Sequence, residues 1–406
     1  MNNKLTENIK KIYLDGKECS LCEYMFGVLK MDHNDPLSCV SEANNSFSID
    51  YWKGCTYQCA YCHVQGIYED LDENYKMIRK PEPRSKFSIE EIIDALVKHP
   101  YFEKDKSIIS IATSSTEPFA SRETTESTLR IMEYFTELGY KNPFWIVTKA
   151  GIPNYISDRL KNICDNGNNI MISICWADNP KIIEPAQHNR FKNIEELKGT
   201  GVTVSWYLRP LVAEWGANKE HIEKMIKMVS SNYGEYIDMI VPGGLRWTEG
   251  IEFGLQYIRG LKMPELSKEH NKKTLSPEIE DDIIELCKKY FPDKPVYFHS
   301  SCAISHMLNR NNVALLNLYD ETTCNKSICS NSCKNRCKNL KFNGELLREC
   351  EKALINSGIQ IKLKKVDNNR ILSKPDFGSF AYSEKQQIRK TLALVANEKG
   401  GVKYES

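Results

Sequence analysis

Ser46-Phe47-Ser48-Ile49-Asp50-Tyr51-Trp52-Lys53-Gly54-Cys55-Thr56-Tyr57-Gln58-Cys59-Ala60-Tyr61-Cys62 begins as a strand and ends as a loop carrying three thiols. Phe47 to Trp52 is rich in aromatic and β-branched residues, the side chains that suit a pleated, half-buried surface. Gly54 and the C-x3-C-x2-C triplet come next, in a loop at the strand's C-terminal end. Downstream, short runs of the same character recur at Ser107 to Ala112, Phe144 to Thr148, Ile170 to Trp176, Val202 to Leu208, Tyr236 to Val241 and Val296 to His299. Amphipathic helical stretches lie between them. Ser88 and Glu91 form a capping box ahead of Ile92, Ile93, Leu96 and Val97, and Ser276-Pro277 opens another helix with proline in its first turn. Alternation of this kind specifies βα units and a parallel sheet. The expected fold is α/β, a partial six-unit barrel over 46–300. An N-terminal extension (1–45), a cysteine-rich segment (301–341) and a C-terminal α/β cap (342–406) would be attached to it. Helices are expected in the cap near Glu345 to Ser357 and Glu384 to Glu398, and a strand near Ile359 to Lys365.

Bulk properties narrow the function classes. Among 406 residues, Lys and Arg number 55 against 54 Asp and Glu, so no global basic field argues for nucleic acid. No run of about 18 apolar residues appears, and the polar start lacks the apolar core of a signal peptide. The expectation is a cytoplasmic protein with no membrane segment. Fifteen cysteines are many for that compartment, where clustered thiols usually serve metals or redox chemistry. Cys164, Cys175 and Cys287 stand singly in apolar segments and read as small buried hydrophobes.

Three thiolates from one tight loop can hold three corners of a cubane cluster, which leaves the fourth iron open to another ligand. Other readings of the triplet are zinc with a fourth ligand such as His63, or a thioredoxin-like C-x-x-C. With Tyr61 just before the third cysteine, the triplet resembles the signature of the radical S-adenosylmethionine superfamily. Thr113-Ser114-Ser115-Thr116-Glu117-Pro118 after the second strand resembles that superfamily's GGEP segment, with small hydroxyl residues in place of the glycines. Ile183-Glu184-Pro185 through Arg190-Phe191, and Arg209-Pro210 at a later strand end, resemble segments of its spore photoproduct lyase-like branch over about 46–245.

The resemblance implies a radical enzyme with a barrel of that superfamily's kind. Cys55, Cys59 and Cys62 would bind a 4Fe-4S cluster whose open iron is chelated by the amino and carboxylate groups of S-adenosylmethionine. It also implies that Tyr61, Ser114, Ser115, Thr116, Glu117, Lys149, Ser173, Arg190, Arg209 and Gly243 line the cofactor pocket, Arg209 facing the methionine carboxylate. An electron donor such as flavodoxin or ferredoxin would supply the reducing electron. The branch's isolated radical-quenching thiol has no assigned counterpart, Cys302 being the candidate. Its absence puts DNA photoproduct repair in doubt and leaves the substrate open among peptides, natural products and nucleotide-containing molecules, DNA lesions and RNA among them. A non-catalytic iron-sulfur electron carrier and a zinc-stabilised nucleic-acid-binding module are the alternatives from other classes.

A second thiol cluster, Cys324, Cys329, Cys333 and Cys337, sits among Asn, Ser and Lys. So polar a stretch cannot bury enough apolar surface to order itself, and a metal is the simplest ordering agent. It resembles the auxiliary-cluster extensions of many radical enzymes; a second 4Fe-4S cluster or a zinc would fit, with Cys302 able to replace one ligand. Cys19, Cys22 and Cys39 form a weaker candidate site lacking a clear fourth ligand.

Overall fold

The computed structural model describes residues 35–43, 46–62, 79–99, 102–112, 116–186, 188–248, 251–252, 254–270, 275–309, 344–356, 358–365, 371–375 and 379–380, together with 384, 388 and 391. Its centre is a seven-stranded sheet of β1 (Val40–Ala43), β2 (Ser46–Ile49), β3 (Ile108–Ile111), β4 (Phe144–Thr148), β5 (Ile170–Cys175), β6 (Thr203–Tyr207) and β7 (Met239–Ile240), arranged in that order. β1 pairs antiparallel with β2 at one edge, and every later pair is parallel. The strands keep chain order without the reversal that marks a doubly wound sheet. The sheet thus starts earlier than the alternation read from residue 46, because Val40 to Ala43 folds back beside β2 in register.

The helices are α1 (Ile89–Leu96), α2 (Arg122–Glu137), α3 (Ser157–Asp165), α4 (Lys219–Tyr233), α5 (Glu265–His270), α6 (Pro277–Tyr290), α7 (Ser300–Met307) and α8 (Gly344–Asn356). In α1 the capping box forms as expected, with Ser88 accepting from the Glu91 amide and Glu91 accepting from the Ser88 amide. This helix buries Ile89, Ile92, Ile93 and Leu96, each contributing about 1.5 to 3 kcal/mol. α6 begins with Pro277 in its first turn, and Ser276 accepts from the Ile279 amide.

Strand periodicity divides the sheet's side chains between two layers. Phe144, Ile146, Ile170, Ile172, Ile174, Val204, Trp206 and Ile240 join the main core, together with the buried stripes of α1 to α4 and α6. The intervening residues Trp145, Val147, Met171, Cys175, Tyr207, Met239 and Val241 face the opposite way and pack with Tyr297 and with Cys302, Ala303 and Ile304 of α7. β5 is buried along its whole length, as expected of a parallel strand covered on both faces.

Two strand expectations shrink. Tyr236 to Val241 becomes Met239–Ile240, because a 3-10 turn takes Gly234–Tyr236. Val296 to His299 becomes a single parallel bridge between Val296 and Ile240, and the chain turns into α7 with His299 as its N-cap. Cys302 therefore lies in α7 and not at a strand end. In the C-terminal region α8 buries Leu347, Cys350 and Leu354, and β8 (Lys362–Lys365) pairs antiparallel with β9 (Ile371–Lys374). Most of the helix expected near 384–398 lies outside the described residues. Among the described residues no helix is long and apolar enough to cross a membrane.

Candidate functional site

The thiol loop leaves the C-terminal end of β2, the first strand of the parallel series. Gly54, at φ 81°, makes the turn that a side chain would strain. The Cys62 amide donates to the Cys59 carbonyl at 3.1 Å, and the Ala60 amide donates to Ile183 O at 2.8 Å, tying the loop to the chain beyond β5. Cys59 is buried, and Cys55 and Cys62 are partly covered. Burial pushes the Cys59 thiol up to about 11, with Lys149 and Arg190 pulling it back and Glu184 opposing them. Cys55 is raised by burial and then by the neighbouring Cys62. Ligation would have to supply the free energy that deprotonates them. Among the described residues, no three His, Cys, Asp or Glu side chains are grouped to hold a metal ion.

A buried polar network lies next to the loop. Lys149, just past β4, donates to Glu184 at 2.6 Å and to the Tyr61 hydroxyl, which itself donates to Glu184. Arg190 binds the other Glu184 oxygen at 3.3 Å and the backbone carbonyls of Lys149 and Ala186 at 2.7 and 2.6 Å. Burial raises Glu184 to about 7 against the pull of Arg190. Burial also works to discharge Lys149, but the Cys175 and Cys59 sulfurs and Glu117 outweigh it, and its pKa stands above the ordinary value. The Tyr61 ring stacks on Trp215 at 5.8 Å, and both pack with Ala60, Val212, Leu245 and Ile251.

Several expected cofactor residues have structural duties instead of open valences. The carboxylate of Glu117 accepts from the Thr148 hydroxyl, the Lys149 amide at 2.7 Å and the Phe119 amide at 3.4 Å, so it braces the ends of β3 and β4. Its pKa is raised by burial, which those donors oppose. Arg190 is likewise fully engaged. Ser173 is completely buried between Trp145 Nε1 at 3.0 Å and Ser205 at 2.7 Å. Gly243 exchanges backbone hydrogen bonds with Leu208 and Leu211. Ser114 and Ser115 lie outside the described residues, as do Cys19, Cys22, His63, Cys324, Cys329, Cys333 and Cys337. Cys39 belongs to the main core, where burial pushes its thiol up to about 12, and Cys302 packs from α7 into the sheet's second layer.

Arg209 and Thr116 differ from these. Arg209 is 8 % exposed, and its side-chain hydrogen bonds are long ones, two to Val241 O at 3.4 Å and one to Ser300 at 3.5 Å. It stacks over the Tyr207 ring at 4.1 Å and has no carboxylate partner among the described residues. Thr116 Oγ1 is buried without a hydrogen-bond partner. Both can accept a ligand's polar groups.

Trp215 and Arg259 were not anticipated. Arg259 Nη2 donates to Gln58 O at 2.7 Å from far along the chain. Neither lies in a strand-end motif, and only the tertiary fold brings them to the loop. No protein-family model matches the chain, and no curated protein matches it.

Proposed function

We propose that the chain is a radical S-adenosylmethionine enzyme related to the spore photoproduct lyase-like branch, with its parallel sheet forming a partial barrel of that superfamily's kind. The observation that carries this reading is the position of the thiol loop. It sits at the C-terminal end of the first parallel strand, where barrels keep their chemistry, and its Tyr61 hydrogen-bonds to Lys149, just past β4, and to Glu184, in the chain beyond β5. The donor set suits a 4Fe-4S cluster on Cys55, Cys59 and Cys62, with one iron left for a small ligand. When bound, the cluster and S-adenosylmethionine supply a 5'-deoxyadenosyl radical that removes hydrogen from an organic substrate.

The chain's own residues have the supporting roles. Arg209, desolvated and without a carboxylate, is matched to an anionic group such as the methionine carboxylate, whose arrival would offset the cost of a buried unpaired cation. Thr116 offers a hydroxyl with no other partner. Glu117 and Arg190 hold the strand ends in place, and Tyr61, Trp215, Leu245 and Ile251 exclude water from one side of the loop. Dry surroundings strengthen the polar contacts made there and protect a radical from side reactions. Cys324, Cys329, Cys333 and Cys337 would hold a second cluster or a zinc. Anaerobically reconstituted protein should carry at least about four irons per chain and release 5'-deoxyadenosine when given S-adenosylmethionine and dithionite. Iron-free protein would refute the cluster. Iron-loaded protein that cleaves no S-adenosylmethionine would make the chain an electron carrier.

A further inference from the structure

Arg259 reaches the thiol loop from 201 positions away and donates to the Gln58 carbonyl at 2.7 Å. Gln58 stands between Cys55 and Cys59 with φ 51°, a left-handed conformation unfavourable for any residue but glycine. The loop therefore needs something to hold it. Arg259 is presented by a π-helical turn, Gly254–Ile258, which its own amide closes onto Gly254 O at 3.1 Å. Such turns insert an extra residue and so re-aim the side chains beyond them. Leu255 and Ile251 of the same segment pack with Ala60, so the turn is anchored on the loop it clamps. Arg259 Nε is buried without a hydrogen-bond partner, and among the described residues no carboxylate pairs with this guanidinium. Its electrostatic neighbours are Cys59, Cys62 and Arg79.

We infer that Arg259 is a positioning residue for the Cys55–Cys62 site, clamping the loop through Gln58 and raising the reduction potential of a cluster held there. The inference rests on the cluster reading above. Adding an electron makes a cluster more negative, and a fixed cation in low-dielectric surroundings favours that state. Clamp and charge thus come from one side chain.

The test uses the full chain as R259K, R259Q and R259M. In metal-free protein, amide hydrogen exchange over residues 55–62 should rise about tenfold in R259M and stay near wild type in R259K. In iron-loaded protein, the cluster whose electron paramagnetic resonance signal changes on adding S-adenosylmethionine should have a more negative midpoint in R259Q and R259M. R259K should keep the wild-type midpoint. 5'-Deoxyadenosine formation in R259Q should then fall with a flavodoxin donor and survive with titanium(III) citrate. Wild-type exchange in R259M would overturn the clamp, and a wild-type midpoint in R259Q would overturn the tuning. Should R259M fail to take up iron, R259Q and R259K still read the potential. A wild-type chain that takes up no iron would defeat the cluster reading and the tuning with it, while the exchange measurement would still decide the clamp.

Discussion

Removing Arg190 tests how tightly the polar network is coupled. In R190M, Glu184 loses its 3.3 Å ion pair, and the carbonyls of Lys149 and Ala186 lose donors at 2.7 and 2.6 Å. Both side chains of the pair are 2 % exposed, so water cannot replace the lost partner. Breaking a buried pair by deleting one member costs about 3 to 5 kcal/mol, or roughly 6 to 10 °C in Tm at about 2 °C per kcal/mol. E184Q should cost less, because burial already opposes the charge on this carboxylate, but it still leaves Lys149 and Arg190 without the carboxylate they share. In E184Q/R190M only Lys149 remains charged, and it keeps the Tyr61 hydroxyl as a partner. The double variant should therefore be more stable than the sum of the two single losses implies, by about 1 to 3 kcal/mol of coupling. Thermal unfolding of metal-free protein at pH 8 would measure this, above the value of about 7 to which burial raises Glu184. Strictly additive losses, or a Tm for R190M within a degree of wild type, would refute the network.

Changing Cys55, Cys59 and Cys62 together to Ala should remove about four irons per chain and abolish 5'-deoxyadenosine formation. Metal analysis of that variant also reads the C-terminal cysteines, since about four residual irons mean a second cluster and zinc without iron means a structural site. R209Q should weaken S-adenosylmethionine binding, the loss of one charge-assisted contact costing about 1.5 to 3 kcal/mol, while iron content measured beside calorimetric affinity stays near wild type. Glu184 gives a pH signature. Its folded pKa lies above its ordinary 4.5, so the native state binds the extra proton, and its contribution to stability falls as pH rises from about 4.5 to about 7. Denaturant unfolding of wild type against E184Q should show that slope reduced in the variant.

Local rules carried the sequence reading a long way. The capping box at Ser88, the proline at 277 and the β-rich runs at 108, 144, 170 and 203 are short-range signals, and elements formed where they lay. Strand ends were less legible. A 3-10 turn at 234 and the start of α7 at 300 shortened the last two strands. At the site, the resemblance grouped Glu117, Lys149 and Arg190 in the cofactor pocket, and the structure brings Lys149 and Arg190 together on Glu184. The sequence could not tell that Glu117 and Arg190 have their hydrogen-bonding capacity taken up by neighbouring backbone and side-chain groups, because those partners are set by packing. Arg259 and Trp215 were invisible for the same reason.

The two faces of the sheet differ in polarity. On the helix-covered face the strand residues are almost wholly apolar, as a packed core requires. The opposite face carries Ser110, Ser173, Ser205 and Tyr207 at 3 % exposure or less. Ser173 and Ser205 satisfy each other, but Ser110 Oγ has no hydrogen-bond partner, and the Tyr207 hydroxyl lies near Ser173 and Ser300 without an aligned bond to either. An unpaired buried hydroxyl costs about 1 to 3 kcal/mol, which a layer meant only for packing would avoid with Val or Phe. Tyr207 lies under the unpaired guanidinium of Arg209, at the same end of the sheet as the thiol loop. Among the described residues, Ser110 Oγ, Thr116 Oγ1 and the Tyr207 hydroxyl thus lie unpartnered on or just beyond the parallel strands, where a polar ligand would complete them.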